Sequence, residues 1–340
     1  MQAPVPSLRQ RATLIVGAML VLAIATLLFS GMTGSIRVPL SDIPDALRQL
    51  ANGQPESLSA SLLDLRASRA LVAFATGGAL ALAGLMMQAL LRNPLADPYV
   101  LGVSSGASVG ALLALLLMAS TLMVDAAALV GAISVSLLLY ALARRDLRSG
   151  QAAEGGASML LLTGVIVSAL CGSLVTLMLS IAPEGRLRSM IFWLIGDLAG
   201  APLRLAPWIV LVGALLFAMR SARAMNMVAL HAENAVTLGV RVSALRKGLF
   251  FVSALLTASA VTSAGAVGFV GLIVPHACRF AFGPDHRVLI PAVVLSGGAF
   301  LVLCDTLART IVAPQQLPVG AITAMIGAPV FLYQLHRMRK

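Results

Sequence analysis

The sequence has little charge. Of its 340 residues only 11% are Asp, Glu, Lys or Arg, whereas 59% are hydrophobic. Soluble domains carry about a quarter charged residues, so the composition excludes an ordinary soluble domain and indicates a membrane protein. Because about 20 apolar residues cross the hydrocarbon core of a bilayer, the long apolar runs of this chain predict membrane-spanning helices.

Lysine and acidic residues within the apolar runs are also scarce. The two lysines, Lys247 and Lys340, do not stand in the Gly-rich context of a nucleotide-hydrolysing loop, so we expect no ATPase activity and no enzyme. The thirteen acids fall almost entirely in loops, whereas ion-coupled carriers bury acids within their spans. An ion-coupled secondary transporter of a small organic solute and a membrane scaffold without transport remain open as alternatives.

Cysteine, histidine and aromatic residues form no recognisable site. The three cysteines are far apart in apolar surroundings, and the four histidines lie in loops or near helix ends. We therefore expect no catalytic set, no metal site and no cofactor. The net charge of +11 comes with only 5% aromatic residues, and its basic residues cluster between apolar runs, so we expect no nucleic-acid partner.

The apolar runs predict an all-α polytopic membrane protein with about ten transmembrane helices in a single domain, residues 1–340. Residues 38–57 and 225–247 are polar enough to lie outside the bilayer. The predicted spans are 12–31, 67–91, 99–118, 121–143, 157–182, 204–221, 245–264, 267–281, 287–307 and 318–336.

Charge bias predicts the orientation of these spans. If the first helix starts in the cytoplasm and each span alternates, 16 Lys and Arg residues lie inside and 8 outside, as the positive-inside rule requires. Both termini are then cytoplasmic, 38–57 is a periplasmic segment, and 225–247 is a cytoplasmic helix–turn–helix. Gly239 is predicted to end the first helix of that pair.

Five motifs, in order over nearly the whole chain, resemble the FecCD-type permeases, the membrane subunits of ABC importers for ferric siderophores, haem and cobalamin. They are RASR (66–69), GGALALAGLMMQALLRNPLADPYVLGVSSGASVG (77–110), FWLIGDLAG (192–200), GFVGLIVPHACR (268–279) and LPVGAITAMIGAPVFLY (317–333).

The resemblance implies a type II ABC importer permease fold in the bacterial inner membrane. It also implies a homodimer with the pathway on its two-fold axis, two cytoplasmic ATPase subunits and a periplasmic substrate-binding protein. Alternating access would move a bulky iron chelate, with haem a strong candidate, or cobalamin. No residue separates these cargoes.

The resemblance further implies that Arg66, Arg69 and Arg309 dock the binding protein, because guanidinium forks pair with carboxylates. The alternative for Arg66 and Arg69 is anchoring at lipid headgroups. For Arg309 it is an i, i+4 pair with Asp305. Gln316 stands where the family usually has Glu, which removes one negative charge from this face.

Two more sites follow from the same resemblance. Asn93 and Leu95, in the turn made by two prolines, match a cytoplasmic gate, and Ser158 is a second gate candidate. The alternative for the turn is an ordinary loop. The cytoplasmic hairpin matches the coupling helices that contact the ATPase, unless it is an amphipathic helix on the membrane surface. Its matching residues are Glu233, Asn234, Leu238 and Gly239.

Overall fold

The computed structural model describes residues 8–148, 154–230 and 232–338, and these residues form thirteen α-helices and two short 3-10 helices. The α-helices are α1 (Leu8–Met32), α2 (Ile43–Ala51), α3 (Leu58–Leu91), α4 (Val103–Leu116), α5 (Thr121–Arg148), α6 (Glu154–Ile181), α7 (Glu184–Ile195), α8 (Leu205–Leu230), α9 (Ala232–Thr237), α10 (Val242–Ala264), α11 (Val270–Phe282), α12 (His286–Thr310) and α13 (Val319–Met338). The described residues contain no β-strand, and the all-α prediction is confirmed.

Each predicted span corresponds to a helix. Seven helices, α1, α3, α5, α6, α8, α10 and α12, are long and apolar enough to cross a membrane, and α4, α11 and α13 are shorter apolar helices. Together they account for the ten predicted spans.

Several boundaries differ from the prediction. Helix α3 begins at Leu58 rather than at residue 67, because Ser57 caps it by accepting a hydrogen bond from the N–H of Ala60 at 3.1 Å. Helix α8 continues to Leu230, beyond the predicted end at 221. Helix α7, which follows Pro183, was not predicted as a separate element.

Helix α3 is the centre of the bundle and packs against α1, α10, α11 and α12. Small residues allow two of these contacts: a β-carbon at Gly84 would overlap the carbonyl oxygen of Gly271 on α11, and one at Gly77 would overlap that of Gly297 on α12. In lipid, where burying apolar surface drives little association, such close backbone approach supplies much of the packing energy. The Gly-rich motifs are therefore packing surfaces.

Three helix ends meet beside this core. The N–H of Asp197, just after α7, donates to the carbonyl of Ala264 at the end of α10 at 2.9 Å, and the N–H of Ala266 donates to the carbonyl of Trp193 at 3.4 Å. Gly320, in the first turn of α13, donates from its N–H to the carbonyl of Gly196 at 3.4 Å. This junction joins α7, α10 and α13 through backbone hydrogen bonds.

The predicted helix–turn–helix consists of the end of α8, the short α9 and the start of α10; we call residues 225–247 the elbow. Gly239 has φ +83°, and its N–H donates to the carbonyl of Val236 at 3.0 Å while that of Val240 donates to Ala235 at 2.9 Å. Gly239 thus ends α9 as predicted, since a left-handed residue at this point favours glycine.

Candidate docking, gate and coupling sites

The three predicted docking arginines line one pocket. Its volume is about 470 Å³, and its wall includes Arg66 and Arg69 from α3, Arg309 from α12, and Gln316. We call it the arginine pocket. It lies at the N-terminal end of α3 and the C-terminal end of α12, on the side that charge bias predicts to be periplasmic, hereafter the outer side.

Asp305 organises this pocket from beneath. Its side chain is 0% exposed and accepts hydrogen bonds from Nε and Nη2 of Arg69 at 3.0 and 2.8 Å. Nε of Arg309 lies 3.3 Å from its second oxygen. The i, i+4 pair foreseen as the alternative role of Arg309 is therefore present, and Asp305 also holds Arg69, which lies 236 positions away in sequence.

Arg66 and Arg309 both bind the end of α1. Arg309 donates from Nη2 to the hydroxyl of Ser30 at 2.7 Å, and Arg66 donates to the carbonyls of Met32 and Ile36. Arg66 is only 6% exposed, so it faces the protein rather than the lipid headgroups.

The pocket keeps a surplus of positive charge. The three guanidinium groups outnumber the single carboxylate: Asp305 contacts Arg69 and Arg309, whereas Arg66 bonds to backbone carbonyls. Gln316 accepts from Nη1 of Arg69 at 2.8 Å as a neutral amide. Such a fixed set of donors suits a carboxylate from another protein. Docking stays a prediction.

The predicted gate turn is ordered by its own polar side chains. Arg92 ends α3 in the left-handed region, with φ 50°. Oδ1 of Asn93 accepts the N–H of Leu95 at 2.9 Å, and Oδ1 of Asp97 accepts that of Tyr99 at 2.7 Å. Leu95 remains 42% exposed, so an apolar side chain projects from a rigid turn.

Burial raises the pKa of Asp97 to about 6, although the hydrogen bond from the Tyr99 N–H lowers it. The phenol oxygen of Tyr99 accepts the N–H of Val267 at 3.1 Å, and the ring of Pro98 lies against Gly271. The gate turn is thus fastened to the segment between α10 and α11. The side chain of Ser158, the other gate candidate, lies outside the described part of the structure.

The elbow presents an apolar tip: Leu238 is 69% exposed beside Gly239. Glu233 and Asn234 lie in α9, but their side chains are outside the described part of the structure. Asn226, at the end of α8, donates from Nδ2 to Asp285 at 2.7 Å and accepts the N–H of His286 at 2.9 Å. These bonds tie the elbow to the start of α12.

Asp285 is itself held by this contact. Partial burial raises its pKa, but the hydrogen bonds from the Arg287 N–H and the Asn226 amide, together with the charges of Arg287 and His286, outweigh burial and leave that pKa below its ordinary value. The carboxylate therefore stays charged at neutral pH. Helix α12 runs from this contact to Asp305, and so connects the elbow with the arginine pocket.

Sequence reasoning did not include Asp305, Asn226 or Tyr99 among the site residues. The i, i+4 spacing of Asp305 and Arg309 was a usable signal for the first. The other two contact residues 59 and 168 positions away, so only the fold reveals them. Among the described residues, no three or more His, Cys, Asp and Glu side chains form a candidate metal site.

Comparison with known proteins gives consistent matches. The model of the FecCD transport family matches residues 21–337. The cobalamin import system permease protein BtuC of Halobacterium salinarum is 42% identical over 83% of this chain and 75% of its own length. The hemin transport system permease protein HmuU of Yersinia pestis is 38% identical over 82% of this chain and 84% of its own.

Solved structures give the same fold. One described as an inward-facing conformation of a metal-chelate type ABC transporter has a TM-score of 0.80 and 29% identity, and the match covers 95% of this chain and 99% of that one. A second, PsaBC from Streptococcus pneumoniae in complex with Fab, has a TM-score of 0.54 at 17% identity over 86% of this chain and 95% of that chain, and shares the fold alone.

Proposed function

This chain belongs to the FecCD transport family, and from that premise we propose that it is the permease subunit of an ATP-driven ABC importer. It forms one permease domain over residues 1–340 and moves a bulky iron chelate or a cobalamin from periplasm to cytoplasm. The match to BtuC and HmuU permeases over four fifths of the chain is the observation that carries this proposal.

The energy comes from partner subunits. Two cytoplasmic ATPases bind the elbow, where Leu238 offers an exposed apolar contact beside the Gly239 turn. The Asn226 contact to Asp285 passes displacement of the elbow to α12. A periplasmic binding protein docks through its carboxylates on the arginine pocket. The ATPase and the binding protein therefore engage opposite ends of α12.

The pathway forms between two copies of the chain. Helix α6 leaves apolar side chains such as Leu170 and Ile166 exposed, which suits contact with either a second copy or lipid. The turn bearing Asn93 and Leu95, together with Ser158, closes the cytoplasmic end. An apolar Leu beside a small amide excludes water yet moves aside without breaking an ion pair.

The polar contacts support the alternation of spans on which this topology depends. Arg204 pairs with Asp125 at 2.6 Å, and both were assigned to the outer side. Asn226 and Asp285 were both assigned to the cytoplasmic side. In each of these two pairs both residues are predicted on the same side, which supports the alternation of the spans. The proposed cytoplasmic termini and inner-membrane location rest on the charge bias and on the family.

An ion-coupled carrier is less well supported. Asp305, a fully buried acid, is bound by two arginines and lies at the outer end of α12. A carboxylate fixed in this way would need its arginine partners displaced before it could relay a proton.

Reconstitution tests the proposal. Proteoliposomes containing the chain, its ATPase partner and its binding protein should import haem, a ferric siderophore or cobalamin only with ATP on the ATPase side. Import should persist when ion gradients are collapsed by ionophores. Gradient-driven uptake by the chain without an ATPase would refute the proposal.

A further inference from the structure

We propose that a second cavity on the outer side binds the cargo itself, and that it selects a flat aromatic chelate bearing carboxylates, as in a metalloporphyrin. The inference rests on the proposed function and narrows its cargo. The cavity has a volume of about 500 Å³ and lies between the outer ends of α4 and α5 and one face of α7. We call it the α7 cavity; its size is within the usual range of ligand pockets, about 300–1,000 Å³.

Helix α7 supplies the chemistry of this cavity. Arg186, Ser189 and Trp193 follow the spacing of one helix face and all line the cavity, as do Arg188 and Phe192. The aromatic side chains of Phe192 and Trp193 provide an apolar lining, and the arginines lie nearer the start of the helix. A ligand with an aromatic body and an anionic edge matches this order.

The charges favour an anion. Asp125 is neutralised by Arg204 at 2.6 Å, so the two arginines of the cavity outnumber its one remaining carboxylate, Asp197, whose Oδ1 accepts the N–H of Ala199 at 2.8 Å. No ion pair among the described residues involves Arg186 or Arg188. The guanidinium of Arg188 lies 5.5 Å from the centre of the Phe192 ring, a stacking that leaves its N–H edge able to bind a carboxylate.

The position of the cavity fits a cargo in transit. The segment 197–203 contributes residues to both this cavity and the arginine pocket, so cargo released by a binding protein docked there arrives beside the α7 cavity. Gly265 and Trp193 line its wall. Both belong to the junction of α7, α10 and α13. Two residues after Gly265, the N–H of Val267 donates to the phenol oxygen of Tyr99 and so holds the gate turn.

Haem binding can be measured without transport. The sequence has two tryptophans, and Trp208 stacks on Phe74, apart from the cavity. In a Trp208→Phe background, haem titrated into the detergent-solubilised full chain, purified without its partner subunits, should quench Trp193. The double substitution Arg186→Gln, Arg188→Gln should weaken haem affinity, measured by this quenching, at least tenfold. Methyl-esterified haem should bind the protein that keeps both arginines equally weakly.

Transport provides the second arm. In proteoliposomes the double substitution should lower haem import at least tenfold while leaving basal ATP hydrolysis and binding-protein affinity unchanged. The matched control is Arg48→Gln, an outer arginine whose side chain is 81% exposed, which should import at the parental rate.

The outcomes separate the two proposals. Full haem import and quenching by the double variant, or import of uncharged cobalamin with no haem binding, would overturn the carboxylate site while leaving ATP-driven import intact. ATP-independent uptake, or no uptake of any chelate by the unsubstituted complex, would instead overturn the proposed function.

Discussion

Removing the Asp305 carboxylate should destabilise the outer end of the bundle strongly. In the Asp305→Ala variant, two arginines whose side chains are only 12% and 8% exposed lose their shared counter-charge. Truncating one partner of a buried ion pair costs about 3–5 kcal/mol, because the remaining charge is left uncompensated.

The geometry places this cost near the lower end of that range. Arg69 keeps its bond to Gln316 at 2.8 Å, and Arg309 keeps its bond to Ser30 at 2.7 Å. Each guanidinium therefore retains one acceptor, and the expected loss in the free energy of unfolding is about 3 kcal/mol. Asp305→Asn, which preserves an acceptor oxygen, should lose less.

Unfolding in mixed micelles of SDS and a mild detergent measures the effect. The control is Asp45→Ala, which removes an outer pair with Arg48 at 3.5 Å whose side chains are 75% and 81% exposed; it should change the free energy by less than about 1 kcal/mol. If Asp305→Ala and Asp45→Ala lost equally little, Asp305 would not be the organising charge of the arginine pocket.

Three other substitutions test packing, coupling and the gate turn. Gly84→Ala should lower the free energy of unfolding by at least about 2 kcal/mol, as in other overpacked cores, because its methyl group would overlap a carbonyl of α11. Gly213→Ala, with open space around it, should raise that free energy by up to about 1 kcal/mol. Equal unfolding free energies would contradict the close contact. Leu238→Asp should abolish co-purification of the ATPase, while Leu47→Asp on α2, also exposed, should leave it intact; retained ATPase in both would refute the elbow contact. Tyr99→Phe removes the hydrogen bond at 3.1 Å from the N–H of Val267 and should lower the free energy of unfolding by about 1 kcal/mol. Hydrogen exchange at that N–H should become faster. Unchanged exchange would show that the bond does not form.

The helices were predictable because a bilayer imposes one length scale on the sequence. Each of the ten apolar runs became a helix, since backbone groups in lipid must bond internally. The start of α3 at Leu58 differs from the predicted start at residue 67 because the charge of Arg66 indicates the outer limit of a span. The fold gives Arg66 and Arg69 polar partners, so the helix continues past them.

The partners within the sites were not predictable in the same way. The sequence indicated Arg69 and Arg309 separately and Asp305 only through its spacing on one helix. Their meeting requires α3 and α12 to lie side by side, which the close approach of Gly77 and Gly297 permits. Helix α7 was missed because its run of Arg and Ser residues resembles a loop by composition and is too short for a span.

The central claim is that the elbow lies in the cytoplasm under a motor subunit. A single cysteine at Leu238, introduced after the buried native cysteines are replaced, reports this directly through a membrane-impermeant maleimide. The account predicts labelling in inverted inner-membrane vesicles but not in intact spheroplasts, and protection when the ATPase is bound. Labelling from the periplasmic side, with no protection by the ATPase, would contradict it.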